Sequence, residues 1–447
     1  MSEPIISVSG LRGIVGTSLT PEIAMRYCAA FAASLEPGAI VVTRDGRTTG
    51  AMLAECVRGA LQAVGRTAID AGIAATPTTG VLVRQLGAAG GIQISASHNP
   101  PEYNGLKLFS GQGRVIPADE GQQVVAAYRT GRIAWAGHEH LGRTSHVVDA
   151  AQSHWQLIRE TIDLEAIRQR RFKVLLDANH GAGSLLGAWM LDELGCDVTL
   201  LGGTADGLFE HPPEPTAENL SSVLAQVRRA DCDIGFCQDP DADRLAIIDE
   251  QGRYLGEEKT LALCVDHRLR QEHGPIVTNC STSRMSEDLA AKYKAPFYRS
   301  PVGEANVVEV MQEHEALLGG EGNGGVIDPR VGLVRDSFVG MALVLDAMAA
   351  RGMSISALAA ELPRYEIAKT KAALEPAKLG AALKALAAHW PEAATDSMDG
   401  LRLDWPGKWL LVRASNTEPI VRAIAEAPTA AEAQHLCDEA AIVLGQM

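Results

Sequence analysis

Three times along the chain an apolar, strand-forming run stops in a polar loop: Val41-Val42-Thr43-Arg44-Asp45-Gly46, Val174-Leu175-Leu176-Asp177-Ala178-Asn179 and Ile276-Val277-Thr278-Asn279-Cys280-Ser281. Each run is followed by a helical pattern and a further strand-like segment, which is the reading of a βαβ unit whose strand is buried on both faces. One unit used three times predicts an α/β protein of three similar α/β/α domains with mixed, largely parallel sheets. After residue 369 the pattern changes. An Ala-rich helix over about 378–389, a hairpin turning at Pro406-Gly407, another strand and a terminal helix from about Ala430 predict a smaller C-terminal α+β domain. Weakly patterned stretches near 137–153, 256 and 369 place the domains at 1–150, 151–256, 257–369 and 370–447, arranged around a central cleft. A chain of 447 residues is long for one core, so several are expected.

Four loops carry the chemistry. In the first, the apolar stretch Gly91-Ile92-Gln93-Ile94 ends in Ser95-Ala96-Ser97-His98-Asn99, followed by Pro100 and Pro101. Two prolines without backbone donors bias the preceding residues away from the helical region, so a shaped loop is expected, presenting Ser97 as an exposed and firmly held hydroxyl. The same residues could also do no more than satisfy turn amides.

The second loop is Asp239-Pro240-Asp241-Ala242-Asp243-Arg244, between the strand-like Ile234-Gly235-Phe236 and Leu245-Ala246-Ile247-Ile248. Three carboxylates at alternate positions between apolar strands need a cation to offset their repulsion. A calcium EF-hand would put Glu250 at its twelfth position, but its sixth, which needs glycine, is Arg244, its ninth is Ile247, and its flanks read as strands. Magnesium at a phosphoryl-transfer site fits the pattern better.

The third loop, Arg413-Ala414-Ser415-Asn416-Thr417-Glu418-Pro419 with Arg422, surrounds two guanidiniums with hydroxyl and amide donors. Arginine pairs bidentately with phosphate oxygens, so this is a candidate dianion cradle; a hairpin end whose arginines pair with Glu418 and Glu426 is the alternative. The fourth, Gly319-Gly320-Glu321-Gly322-Asn323-Gly324-Gly325, combines a backbone that a ligand can approach closely with a carboxylate and an amide suited to vicinal hydroxyls.

In this order and at these separations, together with Ser9-Gly10-Leu11-Arg12-Gly13-Ile14-Val15-Gly16 and Tyr103-Asn104-Gly105-Leu106-Lys107, the four loops resemble the α-D-phosphohexomutase family over essentially the whole chain. The resemblance implies that Ser97 is a phosphoserine carrying the transferable group. It further implies that Asp239, Asp241 and Asp243, with a phosphate oxygen on Ser97, hold magnesium, and that Glu321 and Asn323 contact sugar hydroxyls. Arg413, Ser415, Asn416, Thr417 and Arg422 would hold the phosphate that is not transferred. Phosphoryl transfer needs an in-line nucleophile and neutralised equatorial oxygens; Arg244 and Lys107 supply positive charge near Ser97, and Lys107, helped by Arg12 and His98, is the candidate for proton transfer. A hexose 1,6-bisphosphate is the implied intermediate and activator, turning over in the cleft.

Within that family the sugar loop departs from the common Gly-Glu-x-Ser-Gly-His pattern, with Asn323 for the serine and Gly325 for the histidine. Pro301-Val302-Gly303-Glu304-Ala305-Asn306 looks more like the loop of phosphoglucosamine mutases, and a carboxylate at Glu304 suits a substrate ammonium. Interconversion of glucosamine 6-phosphate and glucosamine 1-phosphate is therefore the expected reaction, with a phosphomannomutase/phosphoglucomutase as the rival. Outside the class stand a metal-dependent sugar phosphatase and a non-catalytic sugar-phosphate sensor.

A net charge of −15 argues against nucleic-acid and anionic-membrane partners, leaving a small-molecule hexose phosphate. The absence of a bilayer-length apolar run or signal-like start points to the cytoplasm. Eight cysteines without a CxxC pair are expected to be reduced and mostly buried, and His138-Glu139-His140 to be solvated loop.

Overall fold

The computed structural model describes residues 3–7, 9–414 and 420–445. Among these residues the strands form four sheets. The first has seven strands in the order Ile5–Ser7, Gly10–Ile14, Tyr103–Ser110, Gly90–Ile94, Ile40–Arg44, Ala68–Ile73, Thr144–His146. The second runs Leu245–Asp249, Ile234–Gln238, Lys173–Asp177, Asp197–Leu201, and the third Phe297–Ser300, Ile276–Asn279, Leu318–Glu321, Gly325–Ile327. In each, strands from the recurring sequence unit pair in parallel, and an antiparallel strand or set of strands closes one side. These sheets are mixed, with the parallel pairing confined to one side of each.

Alternation within the parallel strands explains the layering. Ile40 and Val42 join Tyr27, Phe31, Leu53 and Val57 of the helices Pro21–Ser34 and Gly50–Ala63, whereas Val41 joins Val83 of Thr76–Gln85 on the opposite face. Val174 and Leu176 likewise separate from Leu175, and Ile276 from Val277, so each sheet is covered twice. The first helix starts where the sequence dictates: Thr20 caps it by accepting from the Ile23 amide, and Pro21 occupies the first turn. The second and third sheets share one apolar cluster that includes Phe236, Leu245, Leu318 and Phe338, which ties them into one body.

The fourth sheet is wholly antiparallel, in the order Glu366–Ala373, Ile420–Ala427, Lys408–Ala414, Leu401–Trp405, Ala394–Asp396. Helices Leu379–His389 and Ala430–Gly445 cover it through Ala382, Leu386, Leu436 and Ala440 against Leu410 and Val412. The Pro406-Gly407 turn falls between Trp405 and Lys408, as the sequence predicts. No helix of the described residues is long and apolar enough to cross a membrane. All eight cysteines are free, six of them buried. His138–His140 forms an exposed 3-10 turn.

Candidate active site

The four loops occupy one structural position, the turn of an antiparallel hairpin. Ser97 lies between Gly90–Ile94 and Tyr103–Ser110, and the three aspartates between Ile234–Gln238 and Leu245–Asp249. Glu321 and Asn323 lie where Leu318–Glu321 turns into Gly325–Ile327, and Arg413 faces Arg422 in register across Lys408–Ala414 and Ile420–Ala427.

Ser97 is held in a conformation that few side chains tolerate, with φ of 50°, and it is 1% exposed. The expected exposed hydroxyl is thus covered, because the aspartate loop of the next domain closes over it: Ser97 Oγ donates to Asp239 Oδ2 at 2.7 Å. Its backbone is fixed from behind. Arg47, itself 2% exposed, donates to the carbonyls of Ser97 (2.7 Å), Asn99, Pro100 (2.7 Å) and Tyr103 (3.0 Å). Arg47 is held in turn by Asp45, whose Oδ2 also accepts from Ser95 Oγ at 2.6 Å, and Ser95 Oγ accepts from the Ser97 amide. Asp45 was visible at the end of the first recurring strand; that it and Arg47 serve the serine loop was not.

The carboxylates of Asp239, Asp241 and Asp243 are buried, with one oxygen of each within 4.8 Å of the others. Lys107 Nζ lies 3.0 Å from Asp241 Oδ2 and 2.8 Å from Asp243 Oδ2, and Arg335 Nη2 lies 2.6 Å from Asp243 Oδ2. Thr76 reaches over from the first domain, donating its hydroxyl to Asp241 Oδ2 at 2.6 Å and its amide to the Asp241 carbonyl. Two oxygens, Asp241 Oδ1 and Asp243 Oδ1, have no hydrogen-bond partner although they are buried. Burial pushes all three carboxyls up. Arg335 and Lys107 nevertheless hold Asp243 below its usual value, and Lys107 with the Thr76 hydroxyl does the same for Asp241. Asp239, whose nearest charges are the other two aspartates, is raised well above. An all-oxygen set with partnerless buried atoms fits a hard divalent cation.

Around Ser97, Arg12 donates to Asn99 Oδ1 at 3.2 Å, and His98 Nδ1 lies 3.3 Å from Ser97 Oγ. Burial, then Arg244 and Arg12, push His98 down to about 2, so it is a neutral imidazole. Burial would also lower Lys107, but Asp241 and Asp243 reverse that and hold it above its ordinary value. The expectation that Lys107 is tuned toward neutrality is therefore not met while those carboxylates face it; it is a firm positive charge. Arg244 sits 3.9 Å from Asp243 and 4.0 Å from Glu214, and Phe209, on the same segment as Glu214, lies under the Arg47 guanidinium with its ring centre 5.1 Å away.

Glu321 accepts from Asn279 Nδ2 (2.7 Å), the Gly303 amide (3.2 Å) and Arg335 Nη1 (2.8 Å), and Asn323 leans on Glu321 Oε2 at 3.4 Å. Glu304 is brought into the same network, but both of its oxygens are engaged by Arg335, through the amide at 2.8 Å and Nε at 3.3 Å. Its charge is thereby matched within the protein. Arg413 is anchored to the Glu304 loop through Asp399, which accepts from both Arg413 Nε (3.1 Å) and the Val302 amide (3.0 Å). Glu426, once a possible partner for these arginines, instead accepts from Trp409 and the Arg284 amide. Ser415, Asn416 and Thr417 lie outside the described residues. Arg335 and Thr76 were missed from the sequence, where neither stands in any motif.

The models of the phosphoglucomutase/phosphomannomutase alpha/beta/alpha domains I, II and III match residues 5–133, 152–252 and 257–365, and that of the C-terminal domain matches 370–443. A phosphoglucomutase/phosphomannomutase of Thermococcus kodakarensis is 36% identical over 95% of both chains. A phosphoglucosamine/phosphogalactosamine mutase of Sulfurisphaera tokodaii is 32% identical over 97% of this chain and 98% of its own. Among solved structures, a phosphoglucomutase/phosphomannomutase family protein of Burkholderia thailandensis superposes with a TM-score of 0.86 at 28% identity, covering 99% of this chain and 98% of its own.

Proposed function

Because the chain belongs to the phosphoglucomutase/phosphomannomutase family and is a phosphohexomutase, we propose that it interconverts glucosamine 6-phosphate and glucosamine 1-phosphate through phosphorylated Ser97. The observation that carries the reading is Ser97 Oγ, locked in a left-handed turn 2.7 Å from a buried aspartate triad with two partnerless oxygens.

In this reading the P–O bond on Ser97 breaks as a bond forms to a free hydroxyl of the hexose monophosphate, giving a hexose 1,6-bisphosphate. The bisphosphate turns over in the cleft and returns its other phosphoryl group to Ser97. Magnesium, held by Asp239, Asp241 and Asp243, would neutralise charge on the phosphoryl oxygens. Lys107 and Arg12 add fixed positive charge around the same oxygens, Arg47 holds the seryl backbone in line, and the proton lost by the attacking hydroxyl ends on Ser97 Oγ as its P–O bond breaks, with His98 Nδ1 3.3 Å from that oxygen. Glu321 and Asn323 orient ring hydroxyls. Arg413 and Arg422, with Ser415, Asn416 and Thr417, take the phosphate that stays, and Arg244 stands at the mouth. The amino sugar is supported by the acidic excess beside the sugar loop and by the name of the Sulfurisphaera relative. The partner is a hexose phosphate in the cytoplasm, with neither nucleic acid nor membrane involved.

Intact-protein mass tests the core of this. A single added phosphoryl group after incubation with hexose 1,6-bisphosphate, absent from Ser97→Ala, is the expected result. Full turnover by that variant would refute the phosphoserine route. Release of inorganic phosphate in place of the isomeric sugar phosphate would point to a phosphatase, and binding without turnover to a sensor.

A further inference from the structure

The aspartate loop is gripped from two domains at once. From the first, Thr76 at the start of the helix Thr76–Gln85 donates its hydroxyl to Asp241 Oδ2 at 2.6 Å and its amide to the Asp241 carbonyl at 2.9 Å. From the third, Arg335 Nη2 lies 2.6 Å from Asp243 Oδ2, and the Ser337 hydroxyl donates to the Ala242 carbonyl at 2.7 Å. Ala242, between the two aspartates, holds a φ of 55°, which a residue with a side chain keeps only where its surroundings over-determine it. Between the two grips stands a histidine that no motif marks. His154, in the helix Ala150–Arg159 of the second domain, is 0% exposed. Its Nδ1 lies 2.9 Å from Thr78 Oγ1, two residues beyond Thr76, and its Nε2 lies 2.6 Å from Asp336 Oδ2, between Arg335 and Ser337. The other oxygen of Asp336 accepts from the Phe338 and Val339 amides and caps the helix Ser337–Arg351. These contacts close a ring: it leaves the aspartate loop at Asp241, passes through His154 and returns at Asp243.

The surroundings do not themselves call for a polar residue. Trp155 and Ile158 on the same helix, and Phe338 edge-on to the imidazole at 5.6 Å, belong to the apolar cluster shared by the second and third sheets. Apolar packing would also join the domains there, but it has no direction. The Asp336 carboxylate can only accept, so Nε2 donates to it, while the Thr78 hydroxyl can serve Nδ1 as donor or acceptor. Two hydrogen bonds of fixed direction at opposite ends of a rigid ring set how far apart the segments of Thr76 and Arg335 stand. A divalent ion needs its oxygens at set distances, and the groups that orient ligands govern affinity as the ligands do.

We infer that His154 is a positioning residue for the aspartate triad: it yokes the segments that hold Asp241 and Asp243 and thereby sets the triad's affinity for a divalent cation, touching neither ion nor substrate. The inference rests on the metal reading of the triad and adds to it a residue from the interface of three domains. Its effect belongs in the dissociation constant of the ion, apart from any change in stability.

Calorimetric titration of manganese(II) into the metal-free full chain tests this, with the wild type, His154→Phe, His154→Gln, His154→Asn, Thr78→Val and Ile158→Ala. Phenylalanine fills the space of the ring and keeps neither hydrogen bond, glutamine can reach Asp336, and asparagine can reach Thr78. His154→Phe should weaken manganese binding by about tenfold or more, and Thr78→Val, His154→Gln and His154→Asn by about threefold each. Ile158→Ala empties a buried position on the same helix without touching the ring. Its unfolding midpoint should therefore drop while its manganese affinity stays within about twofold of the wild type, which separates the yoke from a general loss of stability. If His154→Phe does not fold, Thr78→Val and the two amide variants decide the matter by themselves. Manganese affinity unchanged in the histidine and threonine variants, or lowered no more than in Ile158→Ala, would overturn the inference and leave the metal reading standing. A wild type that binds no manganese would overturn both.

Discussion

Arg47 and Arg335 are both buried guanidiniums standing behind a functional loop, yet Arg47 directs its donors to backbone carbonyls of one loop, whereas Arg335 faces carboxylates from three. Around Arg47 there is one acid, Asp45, and the guanidinium works as a planar template for the turn that carries Ser97. Around Arg335 stand Asp243, Glu304 and Glu321, and the guanidinium works as charge, holding together a region in which acids outnumber bases. The difference teaches that the two halves of the site fail in different ways: the serine half by losing geometry, the half built on Asp243, Glu304 and Glu321 by losing charge balance.

Removing the divalent cation strikes only the second half, and hardest. Treatment with a chelator should abolish turnover and lower the unfolding midpoint, since an ion present at 100 times its Kd adds about 2.7 kcal/mol of stability. A calorimetric scan in which the midpoint ignores both chelator and added magnesium would mean that the triad is not a metal site. Next in size is Arg47→Lys. Lysine restores the charge but not the fork, so kcat for Ser97 phosphorylation should fall by about 100-fold. The affinity for hexose monophosphate, measured by calorimetry, should change far less. Arg335→Lys should be milder in turnover, about tenfold, because charge is what that position provides, while Arg335→Met should unfold about 3–5 kcal/mol more easily in urea. Equal losses in Arg47→Lys and Arg335→Lys would erase the distinction between template and charge. The smallest effect belongs to Thr76→Val, which removes one hydroxyl from Asp241: a stability loss of about 1.5–3 kcal/mol with activity reduced less than fivefold.

The loops were readable from the sequence because their chemistry is contiguous: Asp239, Asp241 and Asp243 alternate within five residues, and the prolines that shape the turn of Ser97 follow it after only His98 and Asn99. The recurring strands were readable for the same reason, since a run buried on both faces leaves a local apolar signature. What stayed hidden acts over distance. Arg47 reaches Ser97 across 50 positions, Arg335 reaches Asp243 across 92, and Thr76 reaches Asp241 across 165. No local pattern marks a side chain whose partner is brought to it only by domain packing. Ser97 was expected to be exposed for this reason too: its own segment says nothing of the aspartate loop that covers it. The return of each repeat as an antiparallel hairpin was also not visible in strand-like runs, because pairing direction is set by the connection and not by composition.

The burial of Ser97 decides who can load it. A hydroxyl that is 1% exposed, beneath the loop of a second domain and with its backbone pinned from behind, is closed to any modifying enzyme that must thread a peptide through its own active site. Only a donor small enough to enter the cleft whole can deliver a phosphoryl group there. On the phosphoserine reading proposed above, the loaded fraction of this protein would therefore follow the supply of small phosphorylated sugars.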